Sequence, residues 1–238
     1  MFAPTIPWWY RNWKANENQQ NVMCKPVMRK VAIFSQCNFI LQGMSCIARE
    51  RESLSFLLMT HHHLTPHSAF TRHVELDDLF VHVQSGRVGE LRLIQKLIML
   101  SSPPRVIVMV DNAHVPTLKL LRAMGVIFII SLRDALSNIG NILQDSSRVN
   151  YMSVELHAVI KAIPSAPAWA TERGAFDEVQ YLTPMETEIT LDLLQGLSPR
   201  QVAIKRFISV KTVSTHKLNA LKKMELGGIN EFFITHRR

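Results

Sequence analysis

The sequence predicts two domains: an α/β domain on a five-stranded parallel sheet, followed by an all-helical C-terminal head. Two patterns predict it. Short, continuous apolar runs alternate with amphipathic stretches from residue 31 onward, and three helix start signals follow one another in the last quarter of the chain. A chain of 238 residues has room for one ordinary domain ahead of such a head.

The apolar runs are Val31–Phe34, Leu54–Met59, Leu79–Val83, Val106–Val110 and Val126–Ile130. Unbroken runs of this length suit strands buried on both faces. Between them, Gly89–Leu100 and Pro116–Met124 repeat their apolar residues with helical spacing. The α/β domain is therefore placed at residues 29–147. Ahead of it, residues 1–28 crowd Trp8, Trp9, Tyr10 and Trp13 beside prolines and an Asn/Gln run with no period. This stretch is expected to be a disordered extension or to precede the true start near Met28. Residues 148–180 are expected to link the domains, because Pro164, Ser165, Ala166, Pro167, Ala168 and Gly174 tether without packing. Head and sheet domain are then expected to move independently.

The head occupies residues 181–238. Its first helix starts with a capping box, Thr183 with Glu186 around Pro184, and its apolar stripe holds Ile189, Leu193 and Leu194 until Gly196 ends it. A second box of Ser198, Pro199 and Gln201 starts a helix running to about Arg206, with Val202 and Ala203 inward. Phe207 to Val210 leave room for a tight turn, and Ser209 caps a third helix. On that helix Val213, Ala220, Leu221 and Met224 form the core face, so Lys211, Ser214, Thr215, Leu218 and Lys222 line the opposite edge. Two cations, two hydroxyls and an apolar side chain suit a DNA major groove. From Arg200 to Lys223 there are seven Lys or Arg and no acid, a density that a phosphate backbone rewards through counterion release.

These residues resemble the LuxR/FixJ-type helix-turn-helix, a four-helix module that closes many bacterial response regulators. The resemblance rests on Leu182-Thr183-Pro184 with Glu186, on Gly196-Leu197-Ser198, and on Ile208-Ser209 with Thr212-Val213 and Thr215-His216. It implies a helix-turn-helix from Pro199 to Leu218 whose third helix enters the major groove. Lys211, Ser214, Thr215 and Leu218 then approach base edges, Thr212, Lys217, Lys222 and Lys223 lean toward phosphates, and His216 packs or touches the DNA backbone. Departures are Phe207 in place of a smaller aliphatic residue, Met224-Glu225 in place of Leu-Gly, and the basic Arg237-Arg238 end. The fourth helix of such modules commonly pairs two copies. Here Phe232, Phe233 and Ile234 are candidates either for that surface or for closing the core.

The five-strand unit in turn resembles a receiver domain. A working receiver needs paired acids after strand one, a phosphoacceptor Asp at the end of strand three and a Lys after strand five. In their places stand Ser35, Gln36 and Cys37; Val81, His82, Val83 and Gln84; and Ser131 with Leu132. The expected domain is a degenerate receiver with no phosphoacceptor and no Mg²⁺ site, similar to that of RcsA-like auxiliary regulators. Asp77, Asp78 and Asp111 are expected to be solvated or capping.

Other chemistries are not legible. No Ser-His-acid set, phosphate loop or carboxylate pair suggests an enzyme. His61, His62, His63, His67, His73 and His82 lack persuasive metal-ligand spacing, so neither metal nor cofactor is expected. Cys24, Cys37 and Cys46 form no framework, consistent with a reduced, cytoplasmic and nucleoid-associated protein, and no apolar run is long enough for a membrane span. The net charge of +8 and pI near 9.7 fit a nucleic-acid partner. Residues 183–238 hold nine Lys or Arg and five acids, leaving another +4 elsewhere.

Two functions remain. One is a sequence-specific transcription regulator that binds double-stranded DNA as a homodimer and is controlled by partners rather than by Asp phosphorylation. The other is an interaction protein that heterodimerises with another response regulator and has little DNA affinity of its own.

Overall fold

The computed structural model describes residues 29–49, 54–59, 76–84, 86–100, 102–144, 151–161 and 180–234. The expectations for residues 1–28, for His61–His63, His67 and His73, for the 162–179 part of the linker and for 235–238 lie outside these. The sheet strands are β1 (Arg29–Phe34), β2 (Leu54–Met59), β3 (Asp78–Val83), β4 (Arg105–Val110), β5 (Phe128–Ser131) and β6 (Tyr151–Met152), all parallel, in the order β2-β1-β3-β4-β5-β6. Helices α1 (Asn38–Arg49), α2 (Val88–Ile98), α3 (Val115–Ala123), α4 (Leu132–Gln144) and α5 (Val154–Lys161) belong to the same domain. Residues of β3 and β4 are buried along their whole length, as strands covered on both faces require.

Five of the six strands stand where the apolar runs put them. The sixth is a correction to both the strand count and the linker boundary at 148. Tyr151 donates its N–H to the Ile127 carbonyl (2.8 Å) and Ser153 to that of Ile129 (3.1 Å), so two residues extend the sheet, and Leu156 of α5 is then buried. A strand of two residues has no period for a sequence pattern to reveal.

Asp78 is a second correction. It is fully buried at the N-terminal end of β3, where Arg105 Nε donates at 2.6 Å and Arg29 pairs at 2.5 Å, while Arg105 also bonds the Ile142 carbonyl at the end of α4. Asp77 is exposed, and its carboxylate accepts from the Lys30 N–H of the neighbouring β1 at 2.8 Å.

The head contains α6 (Pro184–Leu194), α7 (Pro199–Arg206), α8 (Val210–Lys223) and a 3-10 helix, Ile229–Phe233, in place of a fourth α-helix. The Glu231 carboxylate reaches back to the N–H groups of Gly227 (2.5 Å) and Gly228 (3.1 Å), which holds this short turn. Phe232 is buried, whereas Phe233 and Ile234 are more than half exposed.

Head and sheet domain are not independent in this structure. Eight of the eleven residues of α6 are buried, on all sides of the helix. One side packs on α8, and the other lies against α2. Leu191, Leu194, Ala220, Leu221, Met224 and Phe232 thereby join Leu91, Leu118 and Leu121 in one apolar core. A helix apolar or satisfied all round is one enclosed from two sides.

Candidate nucleic-acid interface

Each helix of the head begins as its sequence dictates. Thr183 Oγ1 accepts from the Glu186 N–H (3.2 Å) while Glu186 accepts from Thr183 (2.8 Å), and Ser198 and Gln201 repeat the exchange at 3.3 and 2.8 Å. Ser209 Oγ accepts from the Thr212 N–H at 3.0 Å. These caps satisfy helix N–H groups that would otherwise need water, and they fix where α8 starts. Val213 and Ala220 are wholly enclosed, with Leu221 and Met224 beside them.

That anchoring turns the predicted edge outward. Lys211, Thr215, Leu218 and Lys222 are exposed, and Thr212, Ser214, His216 and Lys217 are half-buried. The Ser214 hydroxyl donates to the Val210 carbonyl (3.0 Å) and that of Thr215 to the Lys211 carbonyl (3.1 Å). Held this way, both oxygens present lone pairs outward, which suits the amino donors of adenine and cytosine. Val210, absent from the predicted set, is 46% exposed at the first position of α8. It lies four residues before Ser214, so extending the same spacing by one step would have found it.

Lys223 is the exception. Its ammonium donates to Glu186 (2.7 Å) and to the Tyr181 carbonyl (3.1 Å), which ties the end of α8 to the start of α6. The resemblance placed this lysine toward phosphates, whereas in the structure a buried carboxylate and a backbone carbonyl inside the head hold its charge.

The turn between α7 and α8 is unusual. Phe207 takes the left-handed conformation (φ 56°, ψ 42°) and is 95% exposed. The turn itself closes normally, with the Ile208 N–H on the Ala203 carbonyl at 3.1 Å. Glu225, at the end of α8, is the other non-glycine residue with positive φ among the described residues.

At the C-terminal ends of β1, β3 and β4 a serine, a histidine and an aspartate form a chain. Ser35 Oγ and His82 Nδ1 are 3.0 Å apart, and His82 Nε2 and Asp111 Oδ1 are 2.7 Å apart. This Ser-His-Asp set was not legible in the sequence, since 29 and 47 residues separate its members. It is not a nucleophile's arrangement: Ser35 is fully buried and its oxygen already accepts the Cys37 N–H at 3.0 Å. Gln36 donates to Glu90 (2.7 Å) and accepts from Arg87. Val83 closes the end of β3, and Ser131 N–H bonds Ser153 Oγ at 2.9 Å. Among the described residues no group of His, Cys, Asp or Glu is arranged to hold a metal, and no helix is long and apolar enough to cross a membrane.

A parallel α/β domain here precedes a helix-turn-helix head. Residues 180–234 match the GerE model, described as bacterial regulatory proteins, luxR family, so the C-terminal head is a luxR-type helix-turn-helix domain. A structure of RcsB from Salmonella enterica serovar Typhimurium, bound to promoter rprA with a phosphomimetic, is similar in fold at TM-score 0.53 and 17% identity, covering 87% of this chain and 100% of that one. A two-component response regulator RcsB–DNA complex gives TM-score 0.49 at 15% identity over 86% and 95%. The response regulator ChrA of a heme-sensing two-component system gives 0.42 at 18% over 87% and 94%. A comparison with curated proteins returns no match.

Proposed function

We propose that this chain is a bacterial sequence-specific transcription regulator whose α8 reads the major groove of double-stranded DNA. The observation that carries the reading is the outward edge of α8; on this reading Lys211, Ser214, Thr215 and Leu218 are assigned to base edges, Thr212, Lys217 and Lys222 to phosphates, and His216 to the DNA backbone. The edge sits on a luxR-type head, and of the cations near it Lys205, Arg206 and Lys223 are paired with acids of α6. Two such edges on a dimer would read an inverted repeat, with half-site spacing set by the pair's symmetry. The chain acts as a regulator, not a catalyst.

Control by a partner rather than by Asp phosphorylation is the second part of the proposal. It is supported by Ser35, Gln36, Val83 and Ser131 standing where the acids and lysine of a receiver belong. The reading in which this chain mainly heterodimerises with another response regulator rests on the same replacement.

Selection of bound duplexes from a random library by the full-length chain alone, near physiological salt, tests the proposal. Enrichment of an inverted repeat supports a self-sufficient dimeric reader. A folded sample that enriches no motif would reject that reading in favour of the heterodimeric one.

A further inference from the structure

The contact between the two domains carries an inference beyond DNA reading itself. Arg92 of α2 reaches Asp192 of α6 at 2.5 Å and Gln195 at 2.9 Å, and Gln95 donates to Glu188 at 3.0 Å. Lys119 of α3 donates to the Glu225 carbonyl at 3.0 Å, and the Leu182 N–H bonds the Ala123 carbonyl at 2.8 Å. Between these polar links, Phe232 and Leu194 are enclosed with Leu91. The contact is thus apolar at its centre and ionic at its rim, the composition of a specific interface.

Its position in the layers matters more than its composition. The sheet domain meets the side of α6 that carries Glu188, Asp192 and Gln195. Helix α8 packs through Val213, Ala220 and Leu221 on the head's core, and its reading edge faces the opposite way. Lys211, Thr215, Leu218 and Lys222 stay exposed with the sheet domain in place. Docking covers α6 and the 3-10 helix and leaves the base-reading edge open.

We propose that the head reads DNA while docked on its own α2–α3 face, so that the two domains act as one rigid unit on the duplex. The inference rests on the DNA-reading proposal above. Docking also encloses Phe232 within the chain. Two copies therefore pair through surfaces other than that side chain, and a partner's effect on the sheet domain reaches the duplex through placement of the whole unit, not through unmasking of α8.

A reversible bridge across the interface tests this. In full-length chain with Cys24, Cys37 and Cys46 replaced by Ser, Gln95→Cys and Glu188→Cys are joined by a short bis-methanethiosulfonate linker that thiol reductant removes. Neither residue belongs to the reading edge. Binding to the duplex enriched by the wild-type chain is then compared for bridged and released samples of the same protein, which controls for folding. The expected result is ready bridging and affinities within about threefold of each other. Loss of about thirtyfold or more on bridging, restored by reductant, would show that the head must leave the sheet domain to bind, and would overturn the inference alone. Failure of the pair to bridge would overturn the docking itself. If folded wild-type chain enriches no duplex, the DNA-reading proposal falls and this inference with it.

Discussion

Arg92 and Asp192, one hundred residues apart, meet at 2.5 Å and join the two domains through a carboxylate that is itself fully buried. Asp192 also receives Lys205 and Arg206 of α7, each at 2.7 Å, so a single acid positions the second helix of the head and its neighbour domain. Burial works to raise the Asp192 pKa, and hydrogen bonds from Arg206, Lys205 and Arg92 outweigh it, holding the carboxyl at about 2 against an ordinary 3.8. A depressed acid contributes its stability above its unfolded pKa and loses it as pH falls through the folded one. Wild type should therefore lose about 2 kcal/mol of this contribution between its ordinary value and the depressed one. Urea unfolding across that window should show the loss in wild type and not in Asp192→Asn, which should already be weaker at neutral pH because Arg92, Lys205 and Arg206 have lost the buried charge they share. Equal slopes in the two proteins would refute it.

Lys223 allows a test of whether its charge serves the head's own fold or the duplex. Lys223→Ala should lower the stability of the head by about 1–3 kcal/mol, because Glu186 is left buried without its cation. The salt dependence of DNA binding by the folded variant should stay that of wild type. A shallower salt slope with unchanged stability would return Lys223 to the phosphate-contacting set.

Along α8 the roles separate by position. Lys211→Ala and Thr215→Ala should each cost about 1–3 kcal/mol on the selected duplex and broaden the base preference at one position, whereas Lys222→Ala should weaken all sequences alike. Competition titrations against the selected and a scrambled duplex measure both effects. Equal losses on both duplexes for all three variants would contradict the division.

Phe207 holds a left-handed backbone that bulky residues disfavour, and its ring gains almost no burial in return. Phe207→Asn should raise the unfolding free energy by about 1 kcal/mol, since Asn tolerates this conformation. The urea midpoint of the two proteins is the readout; a lower midpoint for the variant would mean that the exposed ring makes a stabilising contact.

The proposed control without Asp phosphorylation makes a chemical prediction. Incubation with a small phosphodonor and Mg²⁺ should leave the intact mass of the chain unchanged. An added phosphoryl group on any residue at the C-terminal ends of β1, β3 or β5 would contradict regulation without Asp phosphorylation.

Much of this architecture was legible because it is local. The capping pairs Thr183–Glu186 and Ser198–Gln201 span three residues, and the buried strands are unbroken apolar runs, so both are visible to a short reading window. The outward edge of α8 follows from the same local period. What escaped is set by distant pairings. Asp78 looked solvated until Arg29 and Arg105 met it, His82 gave no sign that it would sit between Ser35 and Asp111, and Lys223 matched the basic edge although its partner lies 37 residues earlier. The docking of α2 on α6 escaped for the same reason. The proline-rich composition of residues 164–174 suggests a tether, and nothing local announces that Arg92 and Leu91 meet Asp192 and Leu194.

The central claim, that α8 reads bases from the major groove, is tested most directly by methylation interference on the duplex selected by the full-length chain. Guanine N7 lies in the major groove and adenine N3 in the minor groove. N7 methylation at guanines within the half-sites is expected to block binding, with that interference altered at one position by Lys211→Ala. Tight binding that ignores N7 methylation and is blocked only by N3 methylation would place the protein in the minor groove and contradict it.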